Sequence, residues 1–136
     1  MKLQISTDYA IRILQYLHTT HMGKEPHQTA MGITIATGLT YPFFTKLVNQ
    51  LKKKELVKAI QGRNGGYMLA KPIEQISVYD VFLATGGEMQ LRRCLVEGVC
   101  RKRDAVEHCG LRGFFCDMQE DMIARMSAQS IGDLKF

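Results

Sequence analysis

The four cysteines of the chain offer the clearest chemistry in its sequence, and all of them lie between Cys94 and Cys116. They stand at Cys94, Cys100, Cys109 and Cys116, separated in turn by five, eight and six residues. Thiolates are soft ligands that suit iron–sulfur clusters and zinc, and thiols also oxidise to disulfides. Because the first 93 residues contain no cysteine, these thiols indicate one local site rather than disulfides that hold the whole fold together.

Basic residues surround the first two cysteines. Five cations lie close to them in sequence, against Glu97 alone: Arg92, Arg93, Arg101, Lys102 and Arg103. Such cations offset the negative charge of a thiolate cluster. The spacing lacks the Cys-x2-Cys pair typical of zinc ribbons. It leaves four possibilities open, which are an iron–sulfur cluster, a thiol or disulfide switch, a zinc site and inert cysteines.

Composition limits the fold that positions these thiols. The 136 residues suffice for one domain with an additional long helix, and 46% of them are apolar, so the chain can bury a core. No apolar run reaches the roughly 18–20 residues that span a bilayer. Asp8 and Arg12 interrupt the first apolar stretch, so we expect no signal peptide and a cytoplasmic protein with reduced thiols.

Two consecutive helices near the middle of the chain predict a helix-turn-helix unit. An amphipathic helix capped by Ser6 precedes them. A short helix from about Thr29 then ends at Gly38, and a longer one, capped by Thr40, continues to about Lys54. Two helices joined by a short turn that contains glycine are typical of helix-turn-helix DNA-binding proteins.

A β-hairpin is predicted directly after this unit. Residues 56–60 alternate loosely between apolar and polar, residues 67–70 form a second short strand, and Asn64-Gly65 lies between them. Asn-Gly is a strong hairpin signal, since both residues tolerate a positive φ angle. A hairpin in this position is a wing, and the predicted fold is therefore mostly α-helical with a small β-hairpin.

Charge and side-chain type indicate that the third helix and the wing bind DNA. Residues 46–63 include six basic side chains and one acidic side chain, and the net charge of the chain is +5. Lysines there would neutralise phosphates, and short polar side chains would contact base edges in the major groove. Arg63, at the wing tip, is placed to enter a minor groove. The candidate DNA-binding residues are Tyr41, Thr45, Lys46, Asn49, Gln50, Lys53, Arg63 and Asn64.

A further helix capped by Ser77, the cysteine segment and a last helix complete the chain. The last helix carries an apolar stripe that is long for a small core: Leu111, Phe114, Phe115, Met118, Met122 and Met126. Such a stripe favours packing against a second subunit.

Three of these segments resemble the Rrf-two (BadM-type) family of winged-helix regulators, whose members include NsrR-like and IscR-like proteins. They are the run from Asp8 to Arg12, the wing run from Gly62 to Ala70, and the cysteine string. The resemblance implies a homodimeric transcriptional regulator, with repression as its expected mode, that binds palindromic DNA. It assigns residues 1–86 to a winged helix-turn-helix DNA-binding domain, 87–110 to a cysteine-rich cluster-binding loop, and 111–136 to a dimerisation helix and tail.

The resemblance also implies a ligand set for a 4Fe–4S or 2Fe–2S cluster. In NsrR-like members three cysteines and an aspartate from the other subunit hold the cluster, which here points to Cys94, Cys100, Cys109 and Asp8. The IscR-like histidine position is occupied by Arg112, which cannot bind iron. The second gap is longer here than in the family, and Cys116 is additional, as an extra ligand or a redox thiol.

Two other functions remain open. One is a regulator of the same fold, without a cluster, that senses thiol oxidation or binds a partner enzyme. The other is an iron–sulfur electron-transfer module, which would have no use for a basic wing. We predict no enzyme, because the sequence contains no nucleophile elbow, phosphate-binding loop or paired catalytic carboxylates.

Overall fold

A computed structural model of the chain describes residues 4–21, 27–92, 95 and 109–135. Within them lie five α-helices and one antiparallel hairpin, which confirm the predicted fold class. In chain order they are α1 Ile5–His21, α2 Ala30–Thr37, α3 Tyr41–Lys53, β1 Val57–Ile60, β2 Gly66–Leu69, α4 Val78–Ala84 and α5 Gly110–Ala128. Short 3-10 helices at Ile73–Gln75 and Ile131–Asp133 precede α4 and follow α5.

The core forms where the apolar stripes of α1 and α3 meet. On α1 the stripe repeats at helical spacing through Ala10, Ile13, Leu14 and Leu17, and on α3 through Phe44, Leu47, Val48 and Leu51, all at most 2% exposed. Burial of each leucine-sized side chain contributes about 1.5–3 kcal/mol. The opposite face of α3 is thereby held in solvent at a fixed orientation.

Helix starts follow capping chemistry, with two corrections to the sequence prediction. Thr29 and Ser77 are N-caps, and each side chain accepts a backbone N–H. Thr40 occupies the N-cap position of α3, but its side chain makes no capping hydrogen bond. Ser6 was predicted to cap the first helix. It lies inside α1, which begins at Ile5, and its hydroxyl donates to the Gln4 side chain over 3.2 Å.

The predicted wing is confirmed, although its turn differs from the one that Asn-Gly suggests. β1 and β2 pair in register from Val57 with Leu69 to Ile60 with Gly66. Among the described residues of the turn, the positive φ of 115° belongs to Gly62, and Asn64 and Gly65 do not adopt one. The N–H of Gly65 donates to the Gly62 carbonyl over 3.0 Å and closes the turn. Gly65 is required for space instead, because a Cβ there would lie 2.2 Å from the Ile60 carbonyl oxygen.

The C-terminal segment returns to the core after α5. Ile131 is fully buried, and its N–H donates to the Ile76 carbonyl over 2.8 Å. The Gln15 side chain donates to the Leu134 carbonyl over 2.8 Å, so the segment is also tied to α1. α5 is therefore anchored at its C-terminal end, and its N-terminal end begins next to Cys109.

Candidate nucleic-acid interface and cysteine site

The exposed face of α3 carries most of the candidate DNA-binding residues. Tyr41 is 64% exposed, and Lys46, Asn49 and Lys53 are exposed along the same helix. The Thr45 hydroxyl donates to the Tyr41 carbonyl over 2.9 Å, a bond within the helix that it can exchange for another acceptor. An uncommitted amide and several ammonium groups on one rigid face suit contact with base edges and phosphates.

Gln50 differs from its neighbour Asn49. It is partly buried, and its Oε1 atom is buried without a hydrogen-bond partner in the described parts of the chain. A buried amide oxygen in this state destabilises the fold, because it has lost its water without gaining a donor. The sequence does not distinguish the two amides, since both fall on the polar side of the helical pattern.

The wing turn presents Arg63 and Asn64 to solvent. The segment before α2 supports it: Gln28 and Tyr67 exchange backbone hydrogen bonds of 2.9 and 2.8 Å. His27 Nε2 also bonds the Asn64 carbonyl oxygen. The wing is therefore held by residues 27 and 28, which the sequence pattern does not reveal because single bridging residues carry no periodic signal.

Of the three cysteines predicted to bind a cluster, Cys109 lies within the described residues. Cys94 and Cys100 lie outside them. Cys109 occupies the N-cap position of α5, is half-buried, and its side chain makes no capping hydrogen bond. A Cβ added at Gly110 or Gly113 would meet no atom within 4 Å among the described residues. The start of α5 therefore presents a half-buried cysteine whose thiol does not cap the helix.

Asp8 lies in the first turn of α1 and makes an ion pair with Arg12. Asp8 Oδ2 is 3.1 Å from Arg12 Nε, and the two side chains are 45% and 53% exposed. The Arg12 guanidinium also lies 5.6 Å from the centre of the Tyr9 ring. The described residues of one chain contain no group of three or more His, Cys, Asp or Glu side chains placed to hold a metal ion. Asp8 is accessible enough to serve a ligand set completed from elsewhere.

Cys116 has a different environment. Desolvation, and then Glu120 and Asp117, raise the pKa of its thiol, while Arg112 opposes them. Its Sγ atom donates to Glu120 Oε1 over 3.6 Å. Ligation and redox reactions both need the thiolate, so this environment favours the inert, protonated form.

Helix geometry separates Cys109 from Cys116. They are seven residues apart along α5, which at about 1.5 Å per residue places their Cα atoms roughly 10 Å apart. A disulfide needs a Cα separation of about 4.4–6.8 Å. An intramolecular disulfide between them would therefore require the first two turns of α5 to unfold.

The segment before the cysteines packs on α5. The Leu91 N–H donates to Gln119 Oε1 over 3.1 Å, and the Arg92 guanidinium lies 5.2 Å from the centre of the Phe115 ring. This contact with Phe115 leaves the guanidinium charged, so the prediction that Arg92 offsets the charge of a cluster stays a prediction. Leu111 and Phe114 are 53% and 57% exposed, and no residue of α5 is buried.

No helix in the described ranges is long and apolar enough to cross a membrane.

Known proteins that resemble this chain are transcriptional regulators. Residues 3–135 match the family Rrf2, "Iron-dependent Transcriptional regulator". The HTH-type transcriptional regulator NsrR of Halalkalibacterium halodurans is 31% identical over 109 residues, which are 74% of this chain and 73% of that protein.

Two solved structures share the fold at 20% identity. The global cysteine regulator CymR of B. subtilis superposes with a TM-score of 0.74, over 98% of this chain and 95% of that one. T. potens IscR superposes with a TM-score of 0.69, over 98% and 85%.

Proposed function

Because the chain belongs to the Rrf2 family of DNA-binding transcriptional regulators, which act as dimers, we propose that an iron–sulfur cluster controls its affinity for palindromic DNA. The observation that carries the DNA-binding part is the division of α3 into two faces. One face is core, and the other holds Asn49 and Lys53 in solvent. In this proposal Thr45 and Asn49 contact base edges, Tyr41, Lys46 and Lys53 contact phosphates, and Arg63 and Asn64 contact the groove beside the wing. Gln50 contributes less, because its amide oxygen is buried.

Salt-dependent DNA binding tests this interface. Lys53→Gln should lower the slope of log K against log salt by about one unit, since one phosphate contact releases about one counterion. Lys135→Gln, at an exposed position in the C-terminal segment, is the matched control and should leave the slope unchanged. An unaltered slope in Lys53→Gln would remove Lys53 from the interface.

We propose Cys94, Cys100 and Cys109, with Asp8 of the partner subunit, as the cluster ligands. The family's iron dependence and the similarity to an NsrR protein support this set. The described donors also suit it, since the Cys109 thiol does not cap α5 and the Asp8 side chain is 45% exposed. The bound cluster would supply soft metal centres for thiolates and one site for a harder carboxylate. Cys109 would then join the start of α5 to the start of the partner's α1, the helix on whose buried stripe α3 packs.

Cys109, at the N-cap of α5, and Cys116, within α5, provide a matched test of the ligand set. Anaerobically purified protein should show visible absorption, with iron and sulfide in stoichiometric amounts. Cys109→Ala should lose that absorption, and Cys116→Ala should retain it. The assignment would be contradicted if Cys109→Ala retained the visible absorption. It would also be contradicted if Cys116→Ala lost the absorption and Cys109→Ala did not.

The second candidate is a cluster-free regulator that senses thiol oxidation or binds a partner enzyme. The fold similarity to a protein named as a global cysteine regulator favours it. Since Cys109 and Cys116 are too far apart to bond within an intact α5, such a switch would use another thiol pair. Metal-free protein from the anaerobic preparation, with DNA binding that responds to a mild oxidant, would support this candidate over the first.

A further inference from the structure

Four lysines line one open groove at the base of the wing. The groove has a volume of about 750 Å³ and lies between the end of α3 and the hairpin. Its charged lining consists of Lys52, Lys54, Lys58 and Lys71, with Glu55 as the one carboxylate. The lining therefore carries a net positive charge of about three at neutral pH.

The fold holds these lysines on a rigid base. Immediately after α3 the chain reverses through Glu55, whose φ is 55°. Leu56 and Val57 are then buried, at 1% and 2% exposure. The Ala70 N–H donates to the Leu56 carbonyl over 3.0 Å, which places Lys71 beside the start of β1. The lysine backbones are thus fixed, while Lys58 remains exposed.

Structural roles explain only part of this charge. Lys52 lies in the last turn of α3, where a cation offsets the partial negative charge of the helix C-terminus. Lys58 and Lys71 lie outside any helix and have no such role. In the described parts of the chain, no ion pair joins any of the four lysines to a carboxylate. Uncompensated charges of one sign in a groove attract a polyanion.

We propose that this groove binds phosphates of the DNA duplex and extends the interface formed by α3 and the wing turn. The inference rests on the proposed DNA-binding function. A duplex fits better than an acidic protein, because the groove adjoins the proposed DNA-reading surface at both ends. Lys52 neighbours Lys53 on α3, and Gln61, at the other end, leads into the wing turn. A duplex also supplies phosphates at close, regular spacing along such a surface. These contacts add affinity without sequence preference.

Fluorescence anisotropy with a random-sequence duplex of about 40 base pairs, long enough to cover the whole interface, tests the proposal. Lys58→Gln/Lys71→Gln should weaken binding at least tenfold at low salt and lower the salt slope by about two units. Lys135→Gln should match the wild type. The double variant should keep its thermal transition, because Lys58 is exposed and Lys71 partly exposed.

The measurements separate failure of the groove proposal from failure of the proposed DNA-binding function. A wild-type slope in a folded Lys58→Gln/Lys71→Gln protein would overturn the groove proposal, and an acidic protein would then be the better partner. Absence of duplex binding by the wild-type protein would instead contradict the proposed function itself. A genomic fragment enriched by the wild type should lose affinity by the same factor as the random duplex. Selective loss on the enriched fragment would mean base recognition and would also overturn the proposal.

Discussion

Thr7 and Thr85 share a buried hydrogen bond, with their Oγ1 atoms 2.8 Å apart. The Thr85 hydroxyl also lies 3.0 Å from the Val81 carbonyl oxygen, to which it donates, so Thr7 is the donor to Thr85. Thr7 precedes Asp8 on α1, and Thr85 follows α4, just before the chain enters the cysteine segment. The bond therefore fixes the start of α1 against the element that leads to the proposed cluster.

Replacing Thr7 by valine should lower the free energy of unfolding by about 1 kcal/mol, because a buried hydrogen bond is lost at nearly constant volume. The double variant Thr7→Val/Thr85→Val should cost little more than the single change, since both polar partners are then gone. Urea unfolding of the wild type, Thr7→Val, Thr85→Val and the double variant gives the coupling energy between the two hydroxyls. Thr19→Val, whose hydroxyl is exposed, is the control. Strictly additive losses would show that the two hydroxyls act independently.

Asp8→Asn should separate cluster binding from folding. The Asp8–Arg12 pair is about half-exposed and spans one helical turn, so its loss should change stability by less than about 0.5 kcal/mol. The same change removes the proposed carboxylate ligand, so anaerobic protein should lose its cluster faster in air. Unchanged cluster lifetime in a normally stable Asp8→Asn protein would exclude Asp8 as a ligand.

The reactivity of Cys116 should depend on Glu120. Because Glu120 raises the pKa of the Cys116 thiol, Glu120→Gln should lower that pKa. More thiolate is then present between the two pKa values, and iodoacetamide should alkylate Cys116 faster in that pH range. Asp121→Asn, on the same helix but not a cause of the shift, should leave the rate unchanged. Peptide mass spectrometry across a pH series measures each rate at Cys116 alone.

Replacing the neighbouring amides of α3 should affect different properties: DNA affinity for Asn49 and the free energy of unfolding for Gln50. Asn49→Ala should weaken binding to an enriched genomic fragment by about 1–3 kcal/mol and leave stability nearly unaltered. Gln50→Met should raise the free energy of unfolding by about 1 kcal/mol, because it removes a buried oxygen that lacks a donor. Urea unfolding and anisotropy on both variants make the comparison. Loss of stability in Gln50→Met would mean that the oxygen is satisfied in solution.

Local patterns in the sequence predicted most of the fold. The stripes on α1 and α3 and the cap at Ser77 are short-range signals that fix an element from its own residues. Asn64-Gly65 correctly indicated a hairpin, but packing of Gly65 against the Ile60 carbonyl, and not its φ angle, explains the glycine. The return of Ile131 to the core was missed, since a single buried residue after a helix has no periodicity.

The candidate sites were harder to predict from the sequence, because they depend on contacts between elements that are distant in sequence. Exposure distinguishes Asn49 from Gln50, and it depends on the packing of other elements. The groove of four lysines likewise joins residues from α3, β1 and the segment after β2, which only the hairpin register brings together. The proposed ligand set combines residues of two subunits, so the sequence of one chain suggests its members but not their geometry.

Control of DNA binding by the cluster is tested most directly by measuring DNA affinity with and without the cluster in one preparation. Anaerobic protein with counted iron and sulfide is titrated against the enriched genomic fragment, then treated with an iron chelator, desalted and titrated again at the same salt. Control of affinity by the cluster predicts that its removal weakens binding at least tenfold, or about 1.4 kcal/mol, and that Cys109→Ala shows the weaker affinity throughout. Equal affinity in the loaded and cluster-free states would contradict it.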